Sequence, residues 1–412
     1  MQNENKDFKR LLVLMHSEGL KKGITSLKQY AGMMVSHSYD FKAEASQSLV
    51  RGSNAALVLD QIGVAVVDAD ADQIKSLTKK IKLRETGIIA VEPEGAVYAL
   101  EERPLSSYDL GAASSPNVIS AADMTFDETL NTWGLQVTKV TESQFLGQGV
   151  KIAVLDSGFD LTHPDFLDRK IITECFLENN VIQDEFGHGT HCAGTVFGPK
   201  KPTASPRYGV ACEAEMYVGK VLSNYGSGED GALLAGINWA IQHKCKIVSM
   251  SLGRTVARGE GYSYVFESVA HRALSVGTLL VAAAGNQSRR PVTVELVAHP
   301  ANCPSIIAVG ALDQSLKIAY FSSTSGDERA GAVDISGPGV DILSAHPMPS
   351  RHKIMNGTSM ATPHVAGIAA LYAQSNSTAV GLALWNLIKQ NIQPLPIKPE
   401  DSGIGLVQAV FS

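Results

Sequence analysis

The sequence predicts an α/β protein, with a parallel sheet flanked by helices and preceded by a small α+β unit. Its length of 412 residues exceeds one ordinary domain, so we expect two units. In residues 126–412, near-continuous apolar strands alternate with helical stretches, which is typical of a parallel sheet buried on both faces. Residues 1–100 carry shorter strands mixed with helical spacing, which favours a compact α+β unit with helices on one face of its sheet.

In the first unit, short strands surround one helical segment. The helix is expected over 71–81, where Ile74, Leu77 and Ile81 fall on one face. The expected strands are 11–15, 63–67 and the segments GIIAVEP and GAVYAL. Residues 101–125 are rich in Ser, Ala, Pro and Asp without a sustained period, which predicts a linker. The predicted division is therefore 1–100, 101–125 and 126–412.

In the second unit, strands and helices alternate. The expected strands are 151–156, 215–222, 246–252, 278–284 and 305–312. The expected helices include 231–243 and the segments ATPHVAGIAALYAQ and TAVGLALWNLIKQ. In such sheets, polar residues that follow a strand point into the crevice where ligands bind.

Composition excludes several classes of protein. The formal charge is −6 and no run of Lys or Arg forms a basic stripe, so nucleic acid is not an expected partner. Five cysteines without C-x-x-C suggest reduced thiols rather than a disulfide framework or a zinc ribbon. The apolar run 279–284 is too short to span a bilayer. No signal peptide is legible, which favours action inside the cell or export by a route that the sequence does not show.

Two segments carry a candidate acid and a candidate base. Asp156 ends a buried strand, where it can point into the crevice, although such residues commonly cap turns. His188 lies between two glycines at the start of a helical stretch, which suits a general base. An alternative is a zinc site formed by His188, His191 and Cys192, but no further Cys/His cluster completes a ligand set and HExxH is absent. We expect His191 to be a buried helix residue bonded to the backbone.

Two further segments offer an amide donor and a hydroxyl. Asn286 follows a buried strand, and its amide can donate to a developing oxyanion, although a turn role is equally compatible. Ser359 lies in a glycine-containing turn before an apolar helix, whose N–H groups would stabilise an oxyanion, although an N-cap fits too. An acid, a base, an amide donor and a helix-start serine are together the groups that acyl transfer needs.

The segments LDSG, GHGTHCAGT, AAGN and NGTSMATPHVAG resemble the four signature segments of subtilisin-like (subtilase) serine proteases, in the order Asp, His, Ser. The resemblance runs from about Trp133 to the end of the chain. It implies a subtilisin-like fold and a serine endopeptidase in which Ser359 is the nucleophile and His188 its general base. It also implies that Asp156 orients His188, and that Asn286 forms the oxyanion hole with the Ser359 backbone N–H.

The same resemblance implies a peptide-binding cleft. A substrate would lie as an added strand between the segments Gly226-Ser227-Gly228 and Ser251-Leu252-Gly253. The pocket for the residue before the scissile bond would accept apolar side chains and be lined by Leu252, Gly253, Ala283, Ala284, Gly285 and Ala298. Arg254, Glu295 and His299 are expected near its rim, where they would shift this preference.

Residues 226–231 also fit the pattern G-x-G-x-x-G, which raises the alternative of a dinucleotide site. Glu229 and Asp230 would repel a pyrophosphate there. The next strand, KIVSM, ends without the acid that binds the ribose. The peptide cleft is therefore the favoured interpretation of this segment.

Residues 1–100 resemble the family's propeptide, most clearly in ADQIKSLTKKIKLRETGIIAVEPEGAVYAL, which implies a ferredoxin-like prodomain. We expect a zymogen whose own propeptide is an intramolecular inhibitor, cut autocatalytically between about Leu100 and Asn131. Relatives often bind structural calcium, and HPDF supplies Asp165, but Lys200 and Lys201 in the loop after the His188 helix oppose a cation. Catalysis itself is expected to need no cofactor. A monomer acting on polypeptides is expected, and relatives are mostly secreted.

Two other functions stay open. An acyl-enzyme could pass its acyl group to an amine, as a transpeptidase or macrocyclase does, and no motif separates water from amine as the acceptor. No inserted lid over the site is evident in the sequence. A non-catalytic binding module on a protease fold is the other alternative, but such relatives usually lose a residue of the triad. Because the set is intact here, an endopeptidase is favoured.

Overall fold

The computed structural model describes residues 9–16, 18–38, 54–82, 86–100, 125–178, 181–327 and 329–411. The predicted linker lies outside these residues except for its last one, so the linker is not described further. The described residues form an N-terminal α+β unit, a large α/β unit and a three-stranded sheet to which both contribute.

The N-terminal unit has an α+β arrangement of the ferredoxin-like kind. Its elements are β1 (Lys9–Met15), α1 (Leu20–Ala31), β2 (Met34–His37), β3 (Ala55–Leu59), β4 (Val64–Ala69), α2 (Ala71–Lys82) and β5 (Ile88–Pro93). The strand order is β2-β3-β4-β1-β5. Only the β2–β3 pair is parallel in this sheet. The order β3-β4-β1-β5 with two crossing helices is the split β-α-β pattern.

Strand β1 is apolar on both faces because both faces are buried. Leu11, Val13 and Met15 pack in one cluster with residues of α1 and α2. Leu12 and Leu14 point the other way and pack with the larger unit. Successive side chains of a strand alternate between faces, so the run LLVLM fits a sheet with helices on one side and the larger unit on the other.

The remaining strands supply the large sheet and two small ones. They are β6 (Ala96–Ala99), β7 (Lys151–Asp156), β8 (Ile171–Cys175), β9 (Glu215–Lys220), β10 (Ser227–Glu229), β11 (Ile247–Met250), β12 (Leu252–Gly253), β13 (Leu279–Ala283), β14 (Ile307–Leu312), β15 (Ile335–Pro338), β16 (Ile342–Ala345), β17 (His352–Met355), β18 (Ile392–Gln393) and β19 (Leu406–Val407). The large sheet has the order β18-β19-β15-β14-β13-β11-β7-β9-β8. All its pairs are parallel except β18–β19. Strands β16 and β17 form an antiparallel hairpin.

Helices cover both faces of the large sheet. They are α3 (Trp133–Val137), α4 (His188–Phe197), α5 (Asp230–Gln242), α6 (Tyr264–Ser275), α7 (Thr358–Ser375), α8 (Leu382–Lys389) and α9 (Pro399–Ser402). One core cluster joins the sheet to α4, α7 and α8, and a second joins it to α5 and α6. Within the described ranges, none of these helices is both long and apolar enough to cross a membrane.

The predicted fold class is confirmed, and the differences are local. The predicted strand 246–252 is divided at Ser251, because the chain leaves the large sheet after β11 and enters the three-stranded sheet as β12. Helix α1 was not predicted from the sequence, because it contains Gly23 and glycine is a poor helix former. A Cβ at Gly23 would lie 2.6 Å from the Met15 sulfur, so the close packing of α1 on β1 requires glycine there.

Strand β5 and the turn after it bind two helix starts of the larger unit. Glu92 Oε1 accepts hydrogen bonds from the N–H groups of Tyr264 (2.9 Å) and Val265 (3.3 Å). Glu94 Oε1 accepts one from the N–H of Gly231 (2.8 Å). The first N–H groups of a helix have no partner within it, so Glu92 and Glu94 supply the acceptors that these groups lack.

Candidate active site

Asp156 and His188 lie side by side at the carboxyl edge of the large sheet. Asp156 is the last residue of β7, His188 is the first of α4, and both are buried. His188 Nδ1 is 2.7 Å from Asp156 Oδ1. Burial acts to lower the pKa of His188, but the charge of Asp156 and this hydrogen bond raise that pKa well above its ordinary value. His188 Nε2 has no hydrogen-bond partner among the described residues, so it is the nitrogen that can exchange a proton.

A buried acid that the motifs did not single out, Asp184, holds the turn before His188. Its Oδ1 accepts hydrogen bonds from the Ser157 hydroxyl (3.0 Å) and the Gly187 N–H (2.8 Å), and its Oδ2 from the Thr190 N–H (2.8 Å). Asp184 therefore satisfies free N–H groups at the start of α4 and ties that helix to the end of β7. An acid just before a predicted helix start is a capping signal that could have identified it.

Ser359 is buried near the start of α7 and faces the N-terminal unit. Its Oγ lies 2.8 Å from the Leu100 carbonyl oxygen and 3.0 Å from that of Ser251, and it donates to these oxygens rather than to His188. Cys192 contacts both neighbours, with its sulfur 3.9 Å from His188 Nδ1 and 3.5 Å from the Ser359 carbonyl oxygen. The serine and the imidazole thus flank one buried side chain.

The Asn286 amide points to the same carbonyl. Its Nδ2 donates to the Leu100 oxygen, while its Oδ1 accepts from the Thr358 N–H (2.9 Å) and hydroxyl (2.7 Å). The two bonds from Thr358 fix which end of the amide faces Leu100. A Cβ at Gly357 would lie 2.9 Å from both the Leu100 oxygen and Asn286 Nδ2, so glycine leaves the room that this carbonyl occupies.

Strand β6 lies between the two predicted cleft edges, antiparallel to both. The Ala99 N–H donates to the Gly226 carbonyl (2.8 Å), and the Leu100 N–H to the Ser251 carbonyl (3.4 Å). With β10, Tyr98 pairs with Ser227, Val97 with Gly228 and Ala96 with Glu229; with β12, Ala99 pairs with Leu252 and Tyr98 with Gly253. Residues 96–100 therefore form the added strand between the two cleft edges that the resemblance implies for a substrate.

The Leu100 side chain fills a small apolar pocket. It is 3% exposed and packs against Ala283 and Ala298. A Cβ at Gly253 would lie 3.3 Å from Leu100 Cδ1, so this glycine also borders the pocket. The other predicted lining residues are neighbours of these groups: Leu252 pairs with Ala99, the Ala284 carbonyl accepts from the Ala298 N–H (2.8 Å), and a Cβ at Gly285 would lie 3.2 Å from the Ala298 Cβ.

Two of the expected rim residues direct their side chains to Asp230. Arg254 and His299 were expected to border the pocket of the residue before the scissile bond. His299 Nε2 lies 3.0 Å from Asp230 Oδ1 and Arg254 Nη1 lies 3.6 Å from Asp230 Oδ2, beside Gly95. Glu295 is held through its backbone, whose N–H donates to the Ser288 hydroxyl (3.0 Å).

Comparison with known proteins decides the family. A model of the subtilase family (Peptidase_S8) matches residues 147–403, more than half of the chain. The chain belongs to the subtilase family. The matched range contains the aspartate, histidine, asparagine and serine described above, so the four local segments and the whole-domain match agree.

Known subtilases align with different fractions of this chain. Subtilisin E from Bacillus subtilis (strain 168) is 40% identical over 234 residues, which are 57% of this chain and 58% of that protein. The thermostable alkaline protease of Halalkalibacterium halodurans is 34% identical over 348 residues, 78% of this chain and 90% of that protein. The intracellular serine protease of Paenibacillus polymyxa is 36% identical over 276 residues, 64% and 80% of the two chains. The chain thus spans less than two thirds of Subtilisin E.

The subtilase segment GHGTHC does not form a zinc site with His191. The Nε2 of His191 bonds to the carbonyls of Ile342 and Lys353, each at 3.0 Å, as expected for a buried helix residue. Burial lowers the pKa of His191 to about 3. Asp156, His188 and Cys192 lie close together, but the aspartate and the histidine already hydrogen bond to each other. All five cysteines are buried and none of them forms a disulfide.

Asp165, the possible calcium ligand, has its carboxylate occupied by protein donors. Oδ1 accepts from the Thr203 N–H (2.9 Å) and hydroxyl (2.7 Å). Oδ2 accepts from the Tyr208 hydroxyl (2.7 Å) and from His352 Nε2 (3.0 Å). Although burial opposes it, these hydrogen bonds hold the pKa of Asp165 below its ordinary value. Calcium needs free oxygen ligands, so the residues present do not fit the ion here.

Proposed function

We propose that this protein is a serine endopeptidase that hydrolyses peptide bonds through an acyl-enzyme. The observation that carries the proposal is the Leu100 carbonyl, which accepts hydrogen bonds from both the Ser359 hydroxyl and the Asn286 amide. A carbonyl between a hydroxyl and a preorganised amide donor has the environment of a substrate about to react. Relatives named as proteases support the same conclusion.

The proposed reaction requires the Ser359 hydroxyl to turn from the carbonyl oxygens of Leu100 and Ser251 to His188 Nε2, which has no other partner among the described residues. Ser359 Oγ attacks the carbonyl carbon, and His188 Nε2 takes the hydroxyl proton. The negative oxygen of the tetrahedral intermediate is stabilised by Asn286 Nδ2 and the Ser359 N–H. The carbon–nitrogen bond then breaks as His188 returns the proton to the leaving amine. Water repeats these steps on the ester, which releases the acid and regenerates Ser359.

We further propose that residues 1–100 are a prodomain and that the bond cut during maturation follows Leu100. The support is threefold. Strand β6 fills the cleft in the manner of a substrate, Leu100 fills the apolar pocket, and Glu92 and Glu94 bind helix starts of the larger unit. After the cut, the same contacts would keep the prodomain in place as an inhibitor.

Labelling and mass measurement test this function together. Incubated wild-type protein should yield a chain that begins at Glu101, and that chain should react covalently with a fluorophosphonate. It should hydrolyse casein. An unlabelled, intact chain that cleaves no peptide would overturn the proposal and favour the binding module. Cyclic or amine-linked products in place of free acids would favour the transpeptidase.

Replacing Asn286 by alanine is expected to lower kcat by about 10²–10³ with little change in KM, a size taken from the corresponding asparagine of subtilisin. The physical reason is that the amide stabilises the charge on the oxygen in the transition state more than the neutral carbonyl. Steady-state kinetics on a peptide anilide measure it. Asn391→Ala is the matched control, since its amide donates to the Ala409 carbonyl at the far end of the chain. An increase in KM without loss of kcat would contradict the role.

Release of the cleaved prodomain is expected to become easier as pH rises from about 4.5 to about 7. Burial raises the pKa of Glu94 to about 7, with Glu229 and Asp230 adding to the rise while Arg10 opposes it. Arg10 Nε lies 3.0 Å from Glu94 Oε2 and 3.6 Å from Asp68 Oδ1, so two carboxyl groups compete for its charge. Because the released Glu94 ionises at lower pH than the bound one, the complex is strongest below pH 4.5 and weakens until both forms are ionised.

The measurement is the activity recovered when the cleaved complex is diluted at different pH values. We expect at least about a tenfold weaker complex at pH 8 than at pH 5. Glu94→Gln removes the titrating group and keeps an acceptor for the Gly231 N–H, so its complex should lose most of this dependence. An unchanged pH dependence in Glu94→Gln would assign the effect to other groups.

A further inference from the structure

A buried carboxylate lies at the end of the cleft farthest from Ser359. Asp230 is 2% exposed and is the first residue of α5, directly after strand β10. Its N–H donates to the Gly95 carbonyl (2.9 Å), and its Oδ2 accepts from the Gly95 N–H (3.0 Å). Gly95 is the sixth residue counted back from the proposed cut, with Leu100 as the first. The hydrogen bonds to the bound chain thus continue one residue beyond the pairing of β6 with β10.

The larger unit itself holds this carboxylate in place. His299 Nε2 lies 3.0 Å from Asp230 Oδ1, and the Arg254 guanidinium lies 3.6 Å from Oδ2. Arg254 and His299 are fixed to each other by two backbone hydrogen bonds of 2.9 and 3.0 Å. The His299 ring also packs edge-on against Phe266, with ring centroids 4.5 Å apart. None of these partners belongs to the N-terminal unit, so the acceptor remains oriented when another peptide replaces that unit.

We propose that Asp230 is a specificity-determining residue that binds the main-chain N–H of the sixth residue before the scissile bond. This inference rests on the proposed peptidase function and deepens it. A main-chain N–H is present whatever the side chain, so the contact selects for length: peptides that reach this residue are cleaved faster than those that stop one residue short. A hydrogen bond to an ionised acceptor contributes more than one between neutral groups.

The same contact favours glycine at this position. A Cβ at Gly95 would lie 3.1 Å from Asp230 Oδ2 and 3.2 Å from the Arg254 guanidinium carbon. Both distances are tighter than ordinary packing, so a side chain would have to displace one of these groups. Alanine at the sixth position should therefore be cleaved a few-fold more slowly than glycine.

Three peptide anilides test the length selection. The long one is acetyl-Gly-Ala-Val-Tyr-Ala-Leu-anilide, which copies residues 95–100. The second carries glycolic acid for the glycine and so replaces only the N–H by oxygen. The short one is acetyl-Ala-Val-Tyr-Ala-Leu-anilide, whose acetyl group retains the carbonyl that the Asp230 N–H binds. For the processed wild-type protein, kcat/KM for the long peptide should exceed that for each of the others roughly tenfold.

Asp230→Ala should reduce both ratios to less than twofold, because the acceptor is gone whichever peptide is bound. Asp230→Asn is the second variant, in case alanine at the start of α5 prevents folding, and it should at least halve the ratios. Equal cleavage of the three peptides by wild type, or ratios unchanged in both variants, would overturn the inference. Failure to cleave any of them would instead count against the peptidase function.

Discussion

Replacing Ser359 by alanine is expected to lower kcat by about six orders of magnitude and to leave the bond after Leu100 uncut. The alanine has no nucleophile to form the acyl-enzyme, and His188 then has no hydroxyl proton to accept. The size is that known for subtilisin, where loss of the serine or the histidine alone costs about 2 × 10⁶ in kcat. The measurement is kcat on a peptide anilide together with the mass of the purified chain.

Ser249→Ala is the matched control for this change. Ser249 is also buried, but its hydroxyl has no hydrogen-bond partner in the described part of the chain, so its removal should leave processing and kcat nearly unchanged. Purified Ser359→Ala that still appears as a trimmed chain, without added wild-type protease, would contradict autocatalytic cleavage. Residual hydrolysis above about one part in 10³ would contradict the role of Ser359 as nucleophile.

Replacing Asp156 by asparagine should lower kcat by about four orders of magnitude. The carboxylate accepts the proton on His188 Nδ1 at 2.7 Å, which leaves Nε2 free to receive the proton of Ser359. An asparagine that donates to Nδ1 would favour the opposite tautomer, with the proton already on Nε2. In subtilisin, loss of the aspartate alone costs about 3 × 10⁴.

The pH profile separates this role from a structural one. Because Asp156 raises the pKa of His188, the basic group that controls kcat should titrate at lower pH in Asp156→Asn. Asp341→Asn is the control, since it removes one negative charge at an exposed position with a φ of 54°, which asparagine tolerates. If Asp156→Asn lowers kcat but leaves the pH profile of kcat as in wild type, the loss of activity would instead come from displacement of helix α4.

Local pattern predicted much of the fold. The strand expected over 151–156 is β7, and the helix expected over 231–243 is α5 within one residue at each end. Both follow from side-chain periodicity, which a segment shows without reference to the rest of the chain. The effect of Arg254 and His299 on the pocket's preference stays a prediction, because periodicity does not encode which groups their side chains contact in the folded chain.

Local sequence pattern predicted the candidate site only in part. Asp156, His188, Asn286 and Ser359 lie in distinct short segments, each readable where it stands. The sequence did not decide whether Asp165 binds calcium, because the residues that hydrogen bond to its carboxylate come from several segments. Thr203 and His352 are two of them, and both are distant from Asp165 in sequence. Whether a carboxylate needs an ion depends on how many donors converge on it, and convergence is a property of the folded chain.

The sequence by itself determined the α/β class, the subtilase family and the identity of the four residues proposed for acyl transfer. Only the tertiary structure decided that Leu100 occupies the cleft, that Asp184 supports His188 and that Asp230 extends the binding of the main chain. The physical reason is distance along the chain. The bond from Ser359 to Leu100 joins residues 259 positions apart, and it exists because strand β6 is hydrogen-bonded between two strands of the larger unit.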